Sequence, residues 1–380
     1  MKKKSLCYVS THGFSLRMIS QTNLLGKLSY DFDISLILNK DPGFEFKEYL
    51  NKYGIKLFYL DDKKNYNEYN FAKKYFINGF SKNIALLEKH KRSLKIKSKN
   101  PWKIVRPYFY MLLSSASKYL PFIISLFNYL EHNILNDKYY RTLITKISPD
   151  LLISTYPVDI QESKLIHNSK VLNIPTLTHL LSWDNITAKG KFASLSDKFF
   201  VWGGVMEDEL IELYNVKKNN IVKCGVPHFD IHNEKVTNEE LTSFMNGLNL
   251  NPKKPYLIFG MSSPYFAPYE IEIVEWISKY LEKKNESELQ FIIRPHPQNV
   301  KGYLSDQSWL PRLKKLDKFS KTAVFFPDLA EGNIPWQMKN NDMKKLSIAI
   351  HGSSAVLNTC STFSIDGMLK KKPIIMTPFD

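Results

Sequence analysis

Residues 355–373 read Ala-Val-Leu-Asn-Thr-Cys-Ser-Thr-Phe-Ser-Ile-Asp-Gly-Met-Leu-Lys-Lys-Lys-Pro. The apolar run 355–358, bounded by polar turn residues, predicts a buried strand. Small hydroxyl residues follow, and a helix opens near Ser361. Ser361 or Thr362 caps it, because a hydroxyl there takes an orphan backbone N–H of the first turn. Exposed N–H groups, hydroxyls and the positive end of the helix dipole then point the same way, which suits a phosphate. Asp366, about one turn further along, is placed to accept a hydrogen bond from a ribose or sugar hydroxyl. Pro373 starts the next strand, 374–377. The plainer reading is a capped helix after a strand, so the phosphate reading leans on further stretches.

One is 291–297, Phe-Ile-Ile-Arg-Pro-His-Pro. An apolar strand runs into Arg294 and His296, each followed by a proline that fixes the backbone and removes a donor. Both residues then leave the carboxyl end of a strand, where open α/β sheets bind ligands. A guanidinium fork and an imidazole suit phosphate oxygens. Another is 255–264, Pro-Tyr-Leu-Ile-Phe-Gly-Met-Ser-Ser-Pro, a strand opening into a loop with Gly260, Ser262 and Ser263.

The chain has 380 residues, 43% hydrophobic and 24% charged, enough for two globular α/β domains. Its net charge of +16 calls for a negative partner: a phosphorylated substrate, an anionic membrane surface or nucleic acid. No nucleic-acid-binding module is visible, which sets that partner aside. Three scattered cysteines, Cys7, Cys224 and Cys360, show no ligand spacing and fit a reducing, cytoplasmic setting. No signal peptide and no apolar stretch of ~18 residues is seen.

In chain order, strands are expected at 5–10, 34–38 and 56–60, with helices at 15–29 and 46–53. This alternation predicts a doubly wound parallel sheet. His12 lies in the loop after the first strand. The Asp31-Phe32-Asp33 tripeptide precedes a strand, which places it wrongly for a metal motif; it reads as a solvated turn, and no metal is expected. Residues 61–148 form a helical, basic and aromatic insertion. Residues 89–103 are densely basic and 104–135 apolar, a combination that suits an anionic membrane surface or a lipid-linked acceptor. A helical insertion packed on the domain, with a solvated charge run before it, is the alternative. Strands resume at 151–154, 176–181, 198–202 and 221–224. The domain boundary is expected in the polar stretch 231–254, giving domains 1–245 and 246–380. The second half adds strands 291–294 and 323–326, and helices 270–283 and 342–349.

Two strand–helix sheets with phosphate-type loops in the second resemble the GT-B glycosyltransferase architecture. Arg294-Pro-His296-Pro297 together with Ser361-Thr362 resembles the His-Pro and Ser-Ser/Thr pair of bacterial transferases that use cytidine-linked donors. Those include the sialyl- and Kdo-type transferases and the CDP-glycerol glycerophosphotransferases of wall polymers. Residues 361–373 are also similar to the donor-domain signature of the wider GT-B group, which includes sugar-nucleotide 2-epimerases. Residues 182–190 and 225–230 are similar to stretches of surface-polysaccharide transferases. The resemblance implies that His296 and the hydroxyl pair hold a donor phosphate. It departs from the sialyltransferases in lacking an acidic, glycine-containing loop in the first domain, where Thr11-His12-Gly13 stands instead. It departs from GT-B chains also in stopping at Asp380, just after a strand; a further helix usually follows there, so a truncated end is expected.

A sugar transferase must stabilise the departing nucleotide. Gly260, Ser262, Ser263, Arg294, His296, Ser361, Thr362 and Asp366 form the expected donor site, without metal or cofactor. The acceptor hydroxyl needs a base. Asp184 is the first candidate, beside Trp183, which would stack on a sugar; His12 is the second. Lys189 is expected to pair with Asp184, to touch phosphate or to lie plainly on the surface. The expected activity is sugar transfer from a nucleotide donor to a membrane-linked glycan acceptor, by an enzyme peripheral on the inner face of the cytoplasmic membrane. CDP-glycerol transfer, sugar-nucleotide 2-epimerisation and a membrane-bound scaffold are the alternatives.

Overall fold

The structure is a computed structural model. It describes residues 3–73, 101–117, 119–187, 189–263, 267–284, 288–300, 309–334, 337–339, 341–359 and 361–377. The chain divides into two compact units. The first comprises Met1–Leu16, Leu25–Asp41 and Lys47–Val226; the second comprises Arg17–Leu24, Pro42–Phe46 and Pro227–Asp380.

The sheet of the first unit is parallel throughout, in the order β3-β2-β1-β4-β5-β6-β7. Its strands are β1 (Lys4–Ser10), β2 (Phe32–Leu38), β3 (Lys56–Tyr59), β4 (Leu151–Ser154), β5 (Thr176–His179), β6 (Lys198–Val201) and β7 (Ile221–Lys223). Cys7 and Val9 of β1 are fully buried among Ile37, Leu152, Leu165 and Tyr140. Strands covered on both faces read as continuous apolar runs, which is how they show in the sequence. Helices α1 (Gly13–Gln21) and α2 (Leu24–Leu28) stand where one helix over 15–29 was expected. Asn23, at φ +54°, divides them by taking the left-handed conformation that asparagine tolerates. Helix α3 (Phe44–Lys52) follows β2. The insertion contributes α4 (Asn67–Ala72), α5 (Pro101–Ala116), α6 (Pro121–Leu135) and α7 (Lys138–Ile147). Residues 74–100, and with them most of the expected basic run 89–103, lie outside the described residues. Helices α8 (Ile160–Val171) and α9 (Gly204–Tyr214) complete the unit. Asp31 and Asp33 are exposed, and no group of three metal-type side chains occurs among the described residues.

The second sheet is also parallel, in the order β10-β9-β8-β11-β12. Its strands are β8 (Tyr256–Gly260), β9 (Gln290–Arg294), β10 (Thr322–Val324), β11 (Ala355–Asn358) and β12 (Ile374–Met376). They alternate with α11 (Glu270–Lys283), the short α12 (Pro297–Val300), α13 (Trp309–Leu316), α14 (Asp342–Gly352) and α15 (Phe363–Leu369). Helix α10 (Asn238–Gly247) opens on a capping box between Thr237 and Glu240, and it packs on α14. Residues 227–247 therefore belong to the second unit, not to the end of the first. Phe259, Ile292, Ile293 and Val356 are fully buried. At ~1.5–3 kcal/mol per buried large side chain, such residues drive the layer of helices onto the sheet.

Candidate functional site

In each sheet the strand order reverses beside the first strand: between β1 and β4, and between β8 and β11. Open parallel sheets bind ligands at such switch points, beyond the carboxyl ends of the strands.

In the second unit the loops after β8, β9 and β11 carry the expected donor residues. Gly260 ends β8 in register with Arg294. A Cβ on Gly260 would lie 2.2 Å from the Phe363 ring. Its missing side chain thus seats the start of α15 and leaves no part that reaches a ligand. Ser262 N–H donates to the buried Glu270 carboxylate at 2.6 Å. Burial raises the Glu270 pKa, opposed by hydrogen bonds from Thr359 and Ser262. Ser263 is buried. The turn after β9 closes as Asn299 N–H donates to His296 O at 2.8 Å, which leaves His296 half-buried.

Arg294 departs from the expected role. It is 5% exposed, and its Nη2 donates to both Asp342 carboxylate oxygens, at 2.8 and 2.7 Å. Its guanidinium also stacks on the Phe325 ring, 4.3 Å from the centroid. The side chain at the last strand position turns to the face where α14 begins. There Asp342, itself fully buried, neutralises it. Of the two residues expected to hold a phosphate from this turn, Arg294 is taken up by Asp342.

After β11 the fully buried Asn358 organises the turn. Its Oδ1 accepts from Ser361 N–H at 3.0 Å, and its Nδ2 donates to Ser364 Oγ at 2.8 Å. Ser361 Oγ accepts the orphan Phe363 N–H at 3.3 Å, the expected capping contact. Thr362 is exposed and makes no side-chain cap bond. Asp366 is buried, and its Oδ1 lies 2.7 Å from His232 Nε2. One carboxylate oxygen thus meets an internal imidazole rather than standing ready for a sugar hydroxyl. His232 comes from 134 residues away in sequence, and no local signal announces it.

In the first unit, β1 and β4 run in register from Leu6–Leu151 to Val9–Ser154, so their following loops lie side by side. Glu162, fully buried in the first turn of α8, ties them. Its Oε1 accepts from Thr11 N–H (3.0 Å) and Thr11 Oγ1 (2.9 Å). Its Oε2 accepts from Ser154 Oγ (2.6 Å), Thr155 N–H (2.8 Å) and Tyr156 N–H (2.8 Å). The next residue, His12, packs on Tyr156 with ring centroids 5.2 Å apart. Its Nδ1 accepts from Phe14 N–H at 3.2 Å, which leaves the proton of the neutral ring on Nε2. Burial, and then the charge of Lys189, lowers the His12 pKa to about 4. Lys189 itself pairs with Asp184 at 3.0 Å. Ser182 Oγ donates to the other Asp184 oxygen at 2.5 Å. Asp184 sits in the turn Trp183–Asn185 after β5, beside a half-exposed Trp183. The two candidate catalytic residues are thus linked through Lys189. His12 is a neutral hydrogen-bond donor, and Asp184 is a held carboxylate.

Sequence reasoning missed Glu162, Asn358, Glu270 and His232. Each is a polar residue buried by its partners. Only the position of Glu162 near a helix start gave a local hint, and that reads as a dipole contact.

No protein-family model and no curated protein matches the sequence. Solved structures match over nearly all of it. UDP-GlcNAc 2-epimerase from Neisseria meningitidis, bound to UDP-GlcNAc, aligns with a TM-score of 0.56 at 10% identity, covering 98% of this chain and 82% of that one. MnaA of S. aureus, solved with UDP, aligns at 0.56 and 9% identity, covering 98% and 78%. A glycosyltransferase from Rickettsia africae aligns at 0.50 and 15% identity, covering 99% and 79%. The shared property is the fold: two parallel-sheet, Rossmann-like α/β domains of the GT-B type.

Proposed function

We propose that this chain is a metal-independent glycosyltransferase. It takes a sugar from a nucleotide-activated donor and passes it to a glycan acceptor held at the inner face of the cytoplasmic membrane. The observation that carries the reading is the second unit's switch point, where the Ser262–Ser263 loop, the His296 turn and the Ser361–Thr362 turn follow β8, β9 and β11. Backbone N–H groups, hydroxyls and an imidazole there suit a departing phosphate. Arg294 is left out of that set, because its charge is spent on Asp342. Asp184 is the acceptor's base, and His12 positions an acceptor or donor oxygen through Nε2–H. Trp183 offers a ring face to a sugar.

The test is thermal shift with CMP, CDP, UMP, UDP and GDP on the wild type and His296→Ala. Stabilisation by a cytidine nucleotide that the variant loses supports the His-Pro reading and a cytidine-linked donor, including CDP-glycerol. Stabilisation by UDP supports an ordinary sugar nucleotide. No shift with any nucleotide overturns the reading. A second reading, 2-epimerisation of a UDP-sugar, is favoured by the fold shared with the Neisseria meningitidis 2-epimerase. Nucleotide release that depends on acceptor argues for transfer, and conversion of the intact sugar nucleotide to its epimer argues for epimerisation.

A further inference from the structure

The first unit carries an apolar surface that its own packing does not explain. Twelve of the twenty-eight exposed large apolar side chains among the described residues fall between Trp102 and Leu130. On α5 they include Tyr108, Phe109 and Leu112; on α6, Phe122, Leu126 and Tyr129. Exposed apolar patches of this extent mark interaction surfaces.

The two helices form a bent pair, at 118°, with Pro121 opening the second. At ~1.5 Å per residue they are about 24 and 22 Å long, each short of the ~30 Å hydrocarbon core. No single helix among the described residues is long and apolar enough to cross a membrane. A bent, apolar pair of this length fits a position along an interface rather than across it.

The pair is firmly attached at its carboxyl end. Leu135, the last residue of α6, is buried against Ile160 and Tyr69, and its carbonyl accepts from Asn168 Nδ2 at 2.7 Å. Asp137, two residues on, caps α7 and accepts from Lys164 Nζ at 2.6 Å and Lys64 Nζ at 2.7 Å. Lys164 is 1% exposed and also faces Asp62, Tyr66 and Tyr140. This buried polar knot ties α4, α6, α7 and α8 together and holds the carboxyl end of α6 in place.

Charge names the occupant. Between Lys89 and Leu130 the sequence has nine Lys and Arg and no Asp or Glu, more than half of the chain's net +16. A stretch of that charge repels a second copy of itself and attracts anionic phosphates. We propose that α5 and α6 form a lipid-docking shelf. Their apolar side chains settle into one leaflet of an anionic bilayer, and the basic stretch of sequence that leads into α5 supplies the attraction to the headgroups. The proposal extends the membrane-held acceptor of the preceding section. It rests on the first unit's surface alone, so nucleotide binding by the second unit can survive its failure.

The test is co-sedimentation of the full chain with vesicles of phosphatidylcholine alone and with added phosphatidylglycerol. The wild type should bind the anionic vesicles, less so at high salt. Phe122→Glu/Leu126→Glu should weaken binding by at least about tenfold, with an unchanged far-UV melting curve and unchanged nucleotide-induced shift. Lys97→Glu/Lys99→Glu should weaken it while leaving the apolar face intact. Three results overturn the proposal: no binding to either vesicle, undiminished binding by the α6 variant, or a wild-type dimer that the α6 variant dissociates while neither protein binds lipid.

Discussion

Replacing Arg294 by alanine separates a residue that holds the fold from one that holds a ligand. The guanidinium and the Asp342 carboxylate have side chains 6% and 0% exposed and lie 2.7 Å apart. Removing the cation leaves a buried carboxylate with its charge uncompensated, which costs about 3–5 kcal/mol. At ~2–4 °C per kcal/mol for a domain of this size, the second unit should melt about 6–20 °C lower. Arg294→Met/Asp342→Leu should recover most of the loss, since both charges leave together. It should stay about 1–3 kcal/mol short, because Asp328 N–H then loses the Asp342 oxygen it reaches at 3.0 Å. Thermal melts followed by far-UV circular dichroism read the stability, and calorimetric titration at a temperature where the variant is folded reads nucleotide affinity. Arg294→Ala should be less stable with affinity within about twofold of wild type, well under 1 kcal/mol. A variant with an unchanged melting point and lost nucleotide binding would refute the reasoning and return the guanidinium to the phosphate.

Asp184→Asn should lower turnover by about 10²–10⁴-fold while leaving donor affinity intact, as steady-state kinetics would show. Stability should fall as the pH drops from 6.5 to about 4. Burial lowers both His12 and His179 from 6.5 to about 4, so over that window the unfolded chain takes up protons that the folded one refuses. His179→Asn should flatten that slope in denaturant titrations, and the His12 ring should titrate near 4 by NMR. Glu162→Gln turns one carboxylate oxygen, which accepts two or three hydrogen bonds, into an amide nitrogen that cannot accept them. It should cost on the order of 3 kcal/mol in chemical denaturation, with His12 shifted by NMR.

Much of the fold was legible because it is written locally. The strand 151–154, the helix 270–283 and the strand 355–358 stand where apolar runs and caps put them. The loops after β8, β9 and β11 were legible as strand-end loops for the same reason. The facing of Arg294 was not, because one step along a strand reverses a side chain and Asp342 lies 48 residues away. The occupation of Asp366 by His232 was hidden in the same way. The break at Asn23 was missed because an apolar period continued across it. The site thus divides by the range of its causes. Turns and caps are set by neighbours in sequence, whereas the state of each charge is set by partners brought in by the fold.

The tie made by Glu162 has an evolutionary corollary. Thr11 lies 151 positions before Glu162, while Thr155 and Ser154 lie seven and eight positions before it. A change at any one strands donors or a carboxylate in the core, so these positions can drift only in concert. Among relatives they should covary as a block, and a graft of the His12 loop into another scaffold should succeed only when Glu162 and its hydroxyl partners travel with it.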